Sequence, residues 1–329
     1  MQAGTADADE AAVIRLRGVT RRFGRFTAVD DVSFDIFPGE VFGLIGHNGA
    51  GKSTLFKMML GLLPVSTGAI EIAGQPVYGG AARRVRATIG YLPENVALWD
   101  NLSGLETLRF FARLKRVDAD DCAALLERVG LGGAGSRPVR AYSKGMRQRL
   151  GFAQALLGQP RVLFLDEPTT GLDPHAIHFF WNTLASLRAQ GLTIVLSSHI
   201  LAELQHRVDR VAVMANGKVQ AMGTLPELRA IFNVPFSVQF EMCDGAHAPD
   251  FLAALPPALA ALPHDIDGGA VTVRVPEAQK MELLRHLLAA PQVRDVQLNA
   301  PSLEDMFFSD GGAGMDARLQ QAPPQQEGA

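Results

Sequence analysis

Residues 41 to 54 read Val41-Phe42-Gly43-Leu44-Ile45-Gly46-His47-Asn48-Gly49-Ala50-Gly51-Lys52-Ser53-Thr54. The first five form a short apolar run, which is typical of a strand buried on both faces. The remainder matches G-x-x-x-x-G-K-[ST], and apolar residues at helical spacing follow it. The glycines let the backbone curl so that its N–H groups point at one place, and the next helix adds its positive end there. The stretch therefore predicts a nucleotide-binding phosphate loop.

The residues of this loop have separate predicted tasks. Lys52 is expected to reach the β- and γ-phosphates of ATP, and the Ser53 hydroxyl is expected to bind Mg²⁺. The residues predicted to bind the nucleotide are Gly46, His47, Asn48, Gly49, Ala50, Gly51, Lys52, Ser53 and Thr54. A glycine-rich turn with a chance lysine is the alternative, and the strand before it and the helix after it argue against that alternative.

Composition narrows the class of protein. A chain of 329 residues suits one large domain and one small domain, and 47% hydrophobic residues can build a sizeable core. The net charge of −3 argues against nucleic-acid binding driven by charge alone. Cys122 and Cys243 lie far apart in sequence, which favours a reducing compartment over a disulfide framework.

Targeting signals are also absent from the sequence pattern. There is no apolar run of about eighteen residues, the length that a membrane helix needs. Residues 1–10 are small and acidic, without the basic and apolar regions of a secretory signal. We therefore expect a cytoplasmic protein.

Phe23 is a candidate for binding the base of the nucleotide. Alternating apolar residues predict antiparallel strands at 13–19 and 32–36, and Phe23 lies between them beside Gly24. A surface phenylalanine next to a glycine is commonly a turn anchor. Once a nucleotide is predicted, an exposed ring also offers a face on which adenine can stack.

Buried strands that alternate with helices predict a parallel sheet. Residues 161–167 and 193–198 have the apolar character of such strands, and a helix is expected between them from about 174 to 190. Together with residues 41–45 they predict an α/β fold. Ligands of such folds bind at the C-terminal ends of the strands.

Asp166 and Glu167 end one of these strands. A carboxylate there is costly unless it is paired or binds a metal, so Asp166 is predicted to hold Mg²⁺ together with Ser53. Glu167 is then suited to accept a proton from the attacking water. The alternative, in which both acids only cap the turn before Pro168, is disfavoured by the phosphate loop upstream.

Residues 95–159 are predicted to form a helical insertion in the α/β core. A continuous helix is expected from Leu105 to Val129. Its apolar face is expected to consist of Leu108, Phe111, Ala112 and Leu114. Its charged face is expected to consist of Arg109, Arg113, Lys115 and Arg116. The apolar set Trp99, Leu102 and Phe110 either packs in the core or forms an exposed surface for a partner.

The sequence is divided into a main domain, a small α/β domain and two tails. The main domain is assigned to residues 13–232, and it ends with a hairpin at Asn216-Gly217 and a closing helix at 225–232. The small domain is assigned to 233–308. Its predicted strands are 238–240 and 271–275, and its predicted helices are 251–262 and 276–290. Residues 1–12 and 309–329 are predicted to be disordered tails.

A second helix start gives the phosphate loop a more specific context. Tyr142-Ser143-Lys144-Gly145-Met146 precedes an apolar helix, for which Ser143 is a suitable N-cap. In this context the sequence from Val13 to Phe232 resembles the ATP-binding-cassette ATPases, whose signature is L-S-G-G-Q. Ser143 and Gly145 match that signature at the positions expected to contact phosphate, and the other three residues differ. Asp173 is similar to the last residue of the family's D-loop, and His199 to its switch histidine.

The resemblance implies an ATPase that works as a head-to-tail homodimer. Ser143 and Gly145 of one subunit would then contact ATP held by the phosphate loop of the other, with Asp173 at the same interface. His199 would contact the γ-phosphate and help to place water. Glu94 stands where most members of the family have a glutamine that reaches Mg²⁺, so it is a candidate metal ligand.

The resemblance also implies a separate integral membrane permease, against which the chain would lie on the inner face of the cell membrane. A narrower resemblance, at 46–52, 90–96 and 142–157, is to the ATPase subunits of transporters that mature bacterial nitrous oxide reductase. Pro301 to Asp305 is similar to the same group. That group implies a periplasmic partner and assembly of a copper–sulfur site. The absence of a Cys/Met cluster suggests that this subunit does not itself carry the copper.

Other functions and sites remain as alternatives. An exporter ATPase of the ABC-2 type for another cargo is one, and a soluble cassette protein acting on DNA or ribosomes is a second. The interval between Lys52 and Ser143 is too short for the long coiled coil of the DNA-repair relatives, and only one cassette is visible. A nucleotide sensor without turnover is disfavoured by Glu167 and His199. His175 and His178 lack further metal-ligating partners, so we expect them to form a solvated helix face.

Overall fold

The computed structural model describes residues 11–198, 204–205, 207–232, 234–243 and 247–302. His199 and the two predicted tails, apart from Ala11 and Ala12, lie outside these ranges. The chain divides into two compact units, Met1–Thr224 and Leu225–Ala329. Each unit has its own hydrophobic core.

The first unit combines an antiparallel sheet, a parallel sheet and helices. Its strands are β1 (Ile14–Phe23), β2 (Phe26–Ile36), β3 (Val41–Ile45), β4 (Thr67–Ile72), β5 (Gln75–Pro76), β6 (Ile89–Leu92), β7 (Val162–Asp166), β8 (Thr193–Ser198), β9 (Arg210–Ala215) and β10 (Lys218–Gly223). Its α-helices are α1 (Lys52–Met59), α2 (Ala82–Ala87), α3 (Gly104–Lys115), α4 (Cys122–Arg128), α5 (Lys144–Leu156) and α6 (Pro174–Arg188). The α/β class predicted from the sequence is confirmed.

Strand order decides which chain segments meet at the candidate site. The larger sheet has the order β10-β9-β3-β8-β7-β6, and β9, β3, β8, β7 and β6 run parallel. In this register Ile45 lies beside Ser198, and Asp166 lies beside Ser197. The phosphate loop and the acidic pair therefore lie at the same edge of the sheet, after the two strands that flank β8, as expected for parallel strands.

The antiparallel sheet has the order β2-β1-β4-β5 and packs on the parallel one. Phe34 of β2 and Phe42 of β3 stack with ring centroids 5.3 Å apart. Phe56 of α1 packs edge-on against Phe164 of β7, with ring centroids 5.3 Å apart. One apolar core thus includes both sheets and the helix after the phosphate loop, and this packing fixes where that helix begins.

The continuous helix predicted from Leu105 to Val129 is wrong. The chain forms α3 and α4 instead, because Arg116 adopts a left-handed conformation with φ of 59° and ends the first helix. Asp118 then accepts a hydrogen bond from the Asp120 amide at 2.9 Å, a local turn that competes with helix. The predicted faces are also wrong in part, since Leu114 is 64% exposed and Lys115 is turned inward, donating to the Leu157 carbonyl at 2.9 Å.

The second unit contains α7 (Leu225–Phe232), β11 (Phe236–Met242), α8 (Ala248–Ala253), α9 (Pro257–Ala260), β12 (His264–Asp267), β13 (Ala270–Val275), α10 (Glu277–Ala289) and β14 (Val293–Asn299). Its antiparallel sheet has the order β12-β13-β11-β14, the arrangement of a ferredoxin-like β-α-β-β-α-β unit. The single helix predicted over 251–262 is wrong, because Pro256-Pro257 ends α8 and starts α9. The sequence prediction also missed β12 and β14. Within the described ranges, no helix has the length and apolar character needed to cross a membrane.

Candidate nucleotide site

The phosphate loop connects β3 to α1 and contains three glycines with positive φ. Gly46 has φ of 150°, Gly49 of 85° and Gly51 of 103°. A Cβ atom on Gly46 would collide with the Met214 carbonyl, and one on Gly51 would lie 2.5 Å from the Ala28 carbonyl. Side chains are therefore excluded at Gly46 and Gly51 by neighbouring backbone as well as by conformation.

Lys52 is the buried cation of this loop. Its side chain is 7% exposed and donates hydrogen bonds to the carbonyls of Gly46 at 2.5 Å and His47 at 3.0 Å. Burial lowers the pKa of Lys52, and the nearby carboxylates of Asp166 and Glu167 oppose that shift. Lys52 thus places a positive charge inside a loop whose backbone is free of side chains at Gly46 and Gly51. Such a loop is suited to bind a phosphate group.

Asp166 and Glu167 lie at the end of β7, as the sequence predicts, and Ser197 contacts both. The Ser197 hydroxyl donates to Oδ1 of Asp166 at 2.6 Å and accepts from the Glu167 amide at 3.2 Å. Glu167 itself has φ of 48°, a backbone conformation that is uncommon for residues other than glycine. Ser197 was missed by sequence analysis, although its place near the end of the neighbouring buried strand was a usable signal.

The metal ligands predicted for Mg²⁺ are Ser53, Asp166 and Glu94. Among the described residues there is no group of three or more His, Cys, Asp or Glu side chains that could hold a metal ion. Ser53 and Asp166 nevertheless supply the oxygen ligands that Mg²⁺ prefers, and Mg²⁺ commonly takes its other ligands from phosphates and water. The Glu94 side chain is exposed after β6.

Phe23 lies at the end of β1, and 45% of its surface is exposed. The guanidinium of Arg21 lies 4.6 Å from the ring centroid. Phe23 pairs with Phe26 across the β1–β2 turn, and β2 then reaches the phosphate loop at Ala28. The exposure that stacking on adenine requires is present, and the stacking itself remains a prediction.

The signature segment starts α5 in the predicted way. Ser143 is the N-cap, and its hydroxyl accepts a hydrogen bond from the Met146 amide at 3.2 Å. Asp173 is the N-cap of α6, and its carboxylate accepts from the Ala176 amide at 2.8 Å. The side chain of Lys144 lies against Gly171, so the signature and D-loop segments are neighbours within one chain.

Three histidines, His47, His175 and His178, are exposed to solvent. His47 is exposed in the loop, and its Nδ1 lies 2.7 Å from the Asn48 carbonyl. His175 and His178 are exposed on α6, where Nδ1 of His178 pairs with the amide of Asn182 at 3.1 Å. The structure therefore places these two as the sequence predicted, on a solvated helix face.

Comparisons with known proteins agree with this arrangement. Residues 29–170 match the family described as ABC transporter. The chain is 35% identical over 318 residues to the daunorubicin resistance ATP-binding protein DrrA3 of Streptomyces coeruleorubidus, covering 94% of this chain and 98% of that protein. The chain belongs to the ABC transporter family. It is an ATP-binding subunit of an ABC transporter, and it is an ATPase.

Two further ABC proteins are similar to it. One is the uncharacterized ABC transporter ATP-binding protein YhcH of Bacillus subtilis, 44% identical over 209 residues and covering 63% of this ATPase and 68% of YhcH. The other is a solved ATP-binding subunit of an ABC transporter, with 33% identity, a TM-score of 0.62 and coverage of 67% of this ATPase and 93% of that chain. Relatives of sub-family A are much longer, and this ATPase spans between 10% and 15% of their lengths.

Proposed function

We propose that this ABC ATPase binds ATP with Mg²⁺ and hydrolyses it as a head-to-tail homodimer that drives a separate membrane permease. The observation that carries the proposal is the common sheet edge at which the phosphate loop, Asp166 and Glu167 meet. ATPase subunits of the family dimerise and work with permeases. These partners are therefore proposed here, and nucleic acid is not among them.

Within one subunit, Lys52 binds the phosphates, and the backbone N–H groups after Gly46 surround them. Ser53 and Asp166 would hold Mg²⁺, with Glu94 as a third candidate, and the ion would neutralise charge on the phosphate oxygens. Glu167 accepts the proton of the water that attacks the γ-phosphorus. His199 is proposed to help place that water, and it lies outside the described residues.

The second subunit supplies Ser143, Gly145 and Asp173. Ser143 is exposed at the positive end of α5, so its hydroxyl and the amides of the first turn can face an anion on another molecule. Gly145 has room for a Cβ in the single chain, where its nearest neighbour would be Leu172 at 3.6 Å. A requirement for glycine there would therefore come from close approach of the partner's nucleotide.

The permease is proposed to bind the aromatic cluster formed by Trp99, Phe110 and Phe111. Trp99 and Phe110 are 46% and 39% exposed, and their rings meet at 4.8 Å. Phe111 lies 5.6 Å from each of them. Large aromatic side chains that remain exposed together are common in interfaces. Binding there would hold the ATPase on the inner face of the cell membrane.

The proposed cargo rests on the sequence resemblance alone. Maturation of nitrous oxide reductase, with a periplasmic partner and a copper–sulfur site, is supported by the matches at 46–52, 90–96 and 142–157. Export of another cargo by an ABC-2 type transporter is the alternative, and the similarity to a daunorubicin resistance protein favours it. Deleting the gene and measuring the copper content of nitrous oxide reductase separates the two, since normal copper loading would contradict the maturation role.

The dimer and the catalytic base are tested with purified protein. ATPase activity should rise faster than linearly with protein concentration until dimers saturate. Glu167→Gln should lose about 10²–10⁴-fold in turnover while still binding ATP, and Glu282→Gln, on the exposed face of α10, serves as the control. Parental turnover in Glu167→Gln would contradict its role as the base, and a linear dependence on concentration in the range where the protein is monomeric would contradict the dimer.

A further inference from the structure

The turn at Asn216-Gly217 lies outside the residues to which the proposed function assigns a role. It joins β9 to β10, and both residues have positive φ, 51° for Asn216 and 78° for Gly217. This is the two-residue hairpin turn that the sequence predicted. Its position is not predictable from its sequence, because it lies against two segments that are far away in the chain.

Both the backbone amide and the backbone carbonyl of Gly217 form hydrogen bonds. Its amide donates to the Ala50 carbonyl of the phosphate loop at 3.1 Å, and its carbonyl accepts from the Asp30 amide of β2 at 2.9 Å. Lys218 and Asp30 add an ion pair at 3.3 Å, but it is exposed and contributes little. One residue thus connects the phosphate loop to the antiparallel sheet.

The turn, β2 and the phosphate loop approach one another closely through their backbones. A Cβ atom on Gly217 would lie 2.9 Å from the Ala28 carbonyl. A Cβ on Gly51 would lie 2.5 Å from that carbonyl and 3.4 Å from the Gly217 Cα. The Met214 Cε atom also lies 3.3 Å from the Cβ position of Gly51. Because the Ala28 carbonyl faces Gly217 and Gly51 directly, a shift of the turn must still move β2 or the phosphate loop.

We propose that Gly217 is a positioning residue that sets the distance between the adenine-binding side chain and the phosphate loop. The inference rests on the proposed function and on the predicted stacking of Phe23 on the adenine of the bound ATP. β2 pairs with β1 as far as Phe26 and Phe23, so the place of the Phe23 ring follows that of β2. One ATP molecule must contact the Phe23 ring and the phosphate loop at the same time. If the distance between these two sites is fixed, the protein does not have to rearrange when ATP binds.

The test compares ATP with tripolyphosphate, which has the three linked phosphates of ATP and lacks adenosine. Dissociation constants of both are measured by calorimetry at saturating Mg²⁺ for the full chain and for Gly217→Ala. The control is Gly268→Ala, because Gly268 also has positive φ, 59°, and has nothing within 4 Å of its added Cβ. A milder variant, Asn216→Ala, strains the turn without adding an atom near Ala28.

The advantage of ATP over tripolyphosphate is the ratio of the tripolyphosphate dissociation constant to the ATP dissociation constant. In Gly217→Ala this ratio should fall by about 2- to 10-fold, the effect of losing one backbone hydrogen bond. It should fall less in Asn216→Ala and stay unchanged in Gly268→Ala. The inference is overturned if the advantage persists in either folded turn variant, if both ligands weaken equally, or if both turn variants fail to fold. Failure of the parental chain to bind ATP would contradict the proposed function, and equal parental affinities would contradict the role of Phe23.

Discussion

The Ser197 hydroxyl donates a 2.6 Å hydrogen bond to the carboxylate of Asp166. The two residues lie side by side in the parallel pairing of β8 with β7. Ser197 is buried, and its oxygen also accepts from the Glu167 amide at 3.2 Å. One hydroxyl therefore holds the proposed metal-binding carboxylate in a single orientation and fixes the backbone of the proposed base.

Ser197→Ala should lower the affinity for Mg²⁺ while the protein still folds. Partners that orient a metal ligand are typically worth about 10–100-fold in metal affinity, so the Mg²⁺ concentration for half-maximal ATPase activity should rise by about that factor. Ser186→Ala, on the exposed face of α6, is the control. An unchanged Mg²⁺ titration would show that the hydroxyl does not orient a metal ligand.

Glu94→Gln should make nucleotide binding less dependent on Mg²⁺. A carboxylate beside Mg²⁺ strengthens metal binding, but without the metal it repels the triphosphate and Asp166. The measurement is ATP affinity as a function of Mg²⁺ concentration, and Asn95→Asp, which adds a charge at the next exposed position, is the control. Superimposable titrations for the parent and Glu94→Gln would assign Glu94 to the solvent-exposed loop only.

Trp99→Ala should weaken permease binding and leave ATP affinity unchanged. The residue after it, Asp100, accepts a 2.6 Å hydrogen bond from Arg147 in the first turn of α5, so a permease bound at Trp99 is one contact from the signature helix. Leu114→Ala is the matched control, because Leu114 is exposed on α3 outside the aromatic cluster. Co-purification with the permease measures binding, and equal loss in both variants, or unfolding of Trp99→Ala, would contradict a docking role.

Tyr78→Phe should lower stability and remove part of its alkaline pH dependence. The Tyr78 hydroxyl donates to the carbonyls of Met58 at 2.6 Å and Leu63 at 2.7 Å, and its loss should cost about 1–3 kcal/mol. Burial raises the pKa of Tyr78 from 10.0 to about 12. The folded state therefore keeps a proton that the unfolded state loses, so the stabilisation is complete below pH 10.0 and falls as the pH rises towards about 12.

Urea unfolding of parent and variant at several pH values checks this prediction. The difference in unfolding free energy between them should be constant at neutral pH and should shrink over the interval above pH 10.0. A difference that does not depend on pH would mean that the phenol has the same pKa in the folded and unfolded chain.

Local sequence patterns predicted the elements well where one signal dominated. The bounds of the strands at 41–45 and 193–198 were correct because short apolar runs ended in glycine or polar residues. The helix over 105–129 was wrong, since apolar periodicity continues across a break that the Asp118 turn and the left-handed Arg116 create. In the second unit, Pro256-Pro257 likewise overrode the helical pattern.

The sequence by itself determined the chemistry of this protein, because the phosphate loop, the acidic strand end and the N-cap at Ser143 are each contiguous in the chain. Only the tertiary structure decided which distant residues support them. Ser197 meets Asp166 through the register of two parallel strands, and Gly217 meets Ala50 and Asp30 through the packing of two sheets. Strand register and sheet packing are set by contacts between segments far apart in sequence, and no local pattern of residues records them.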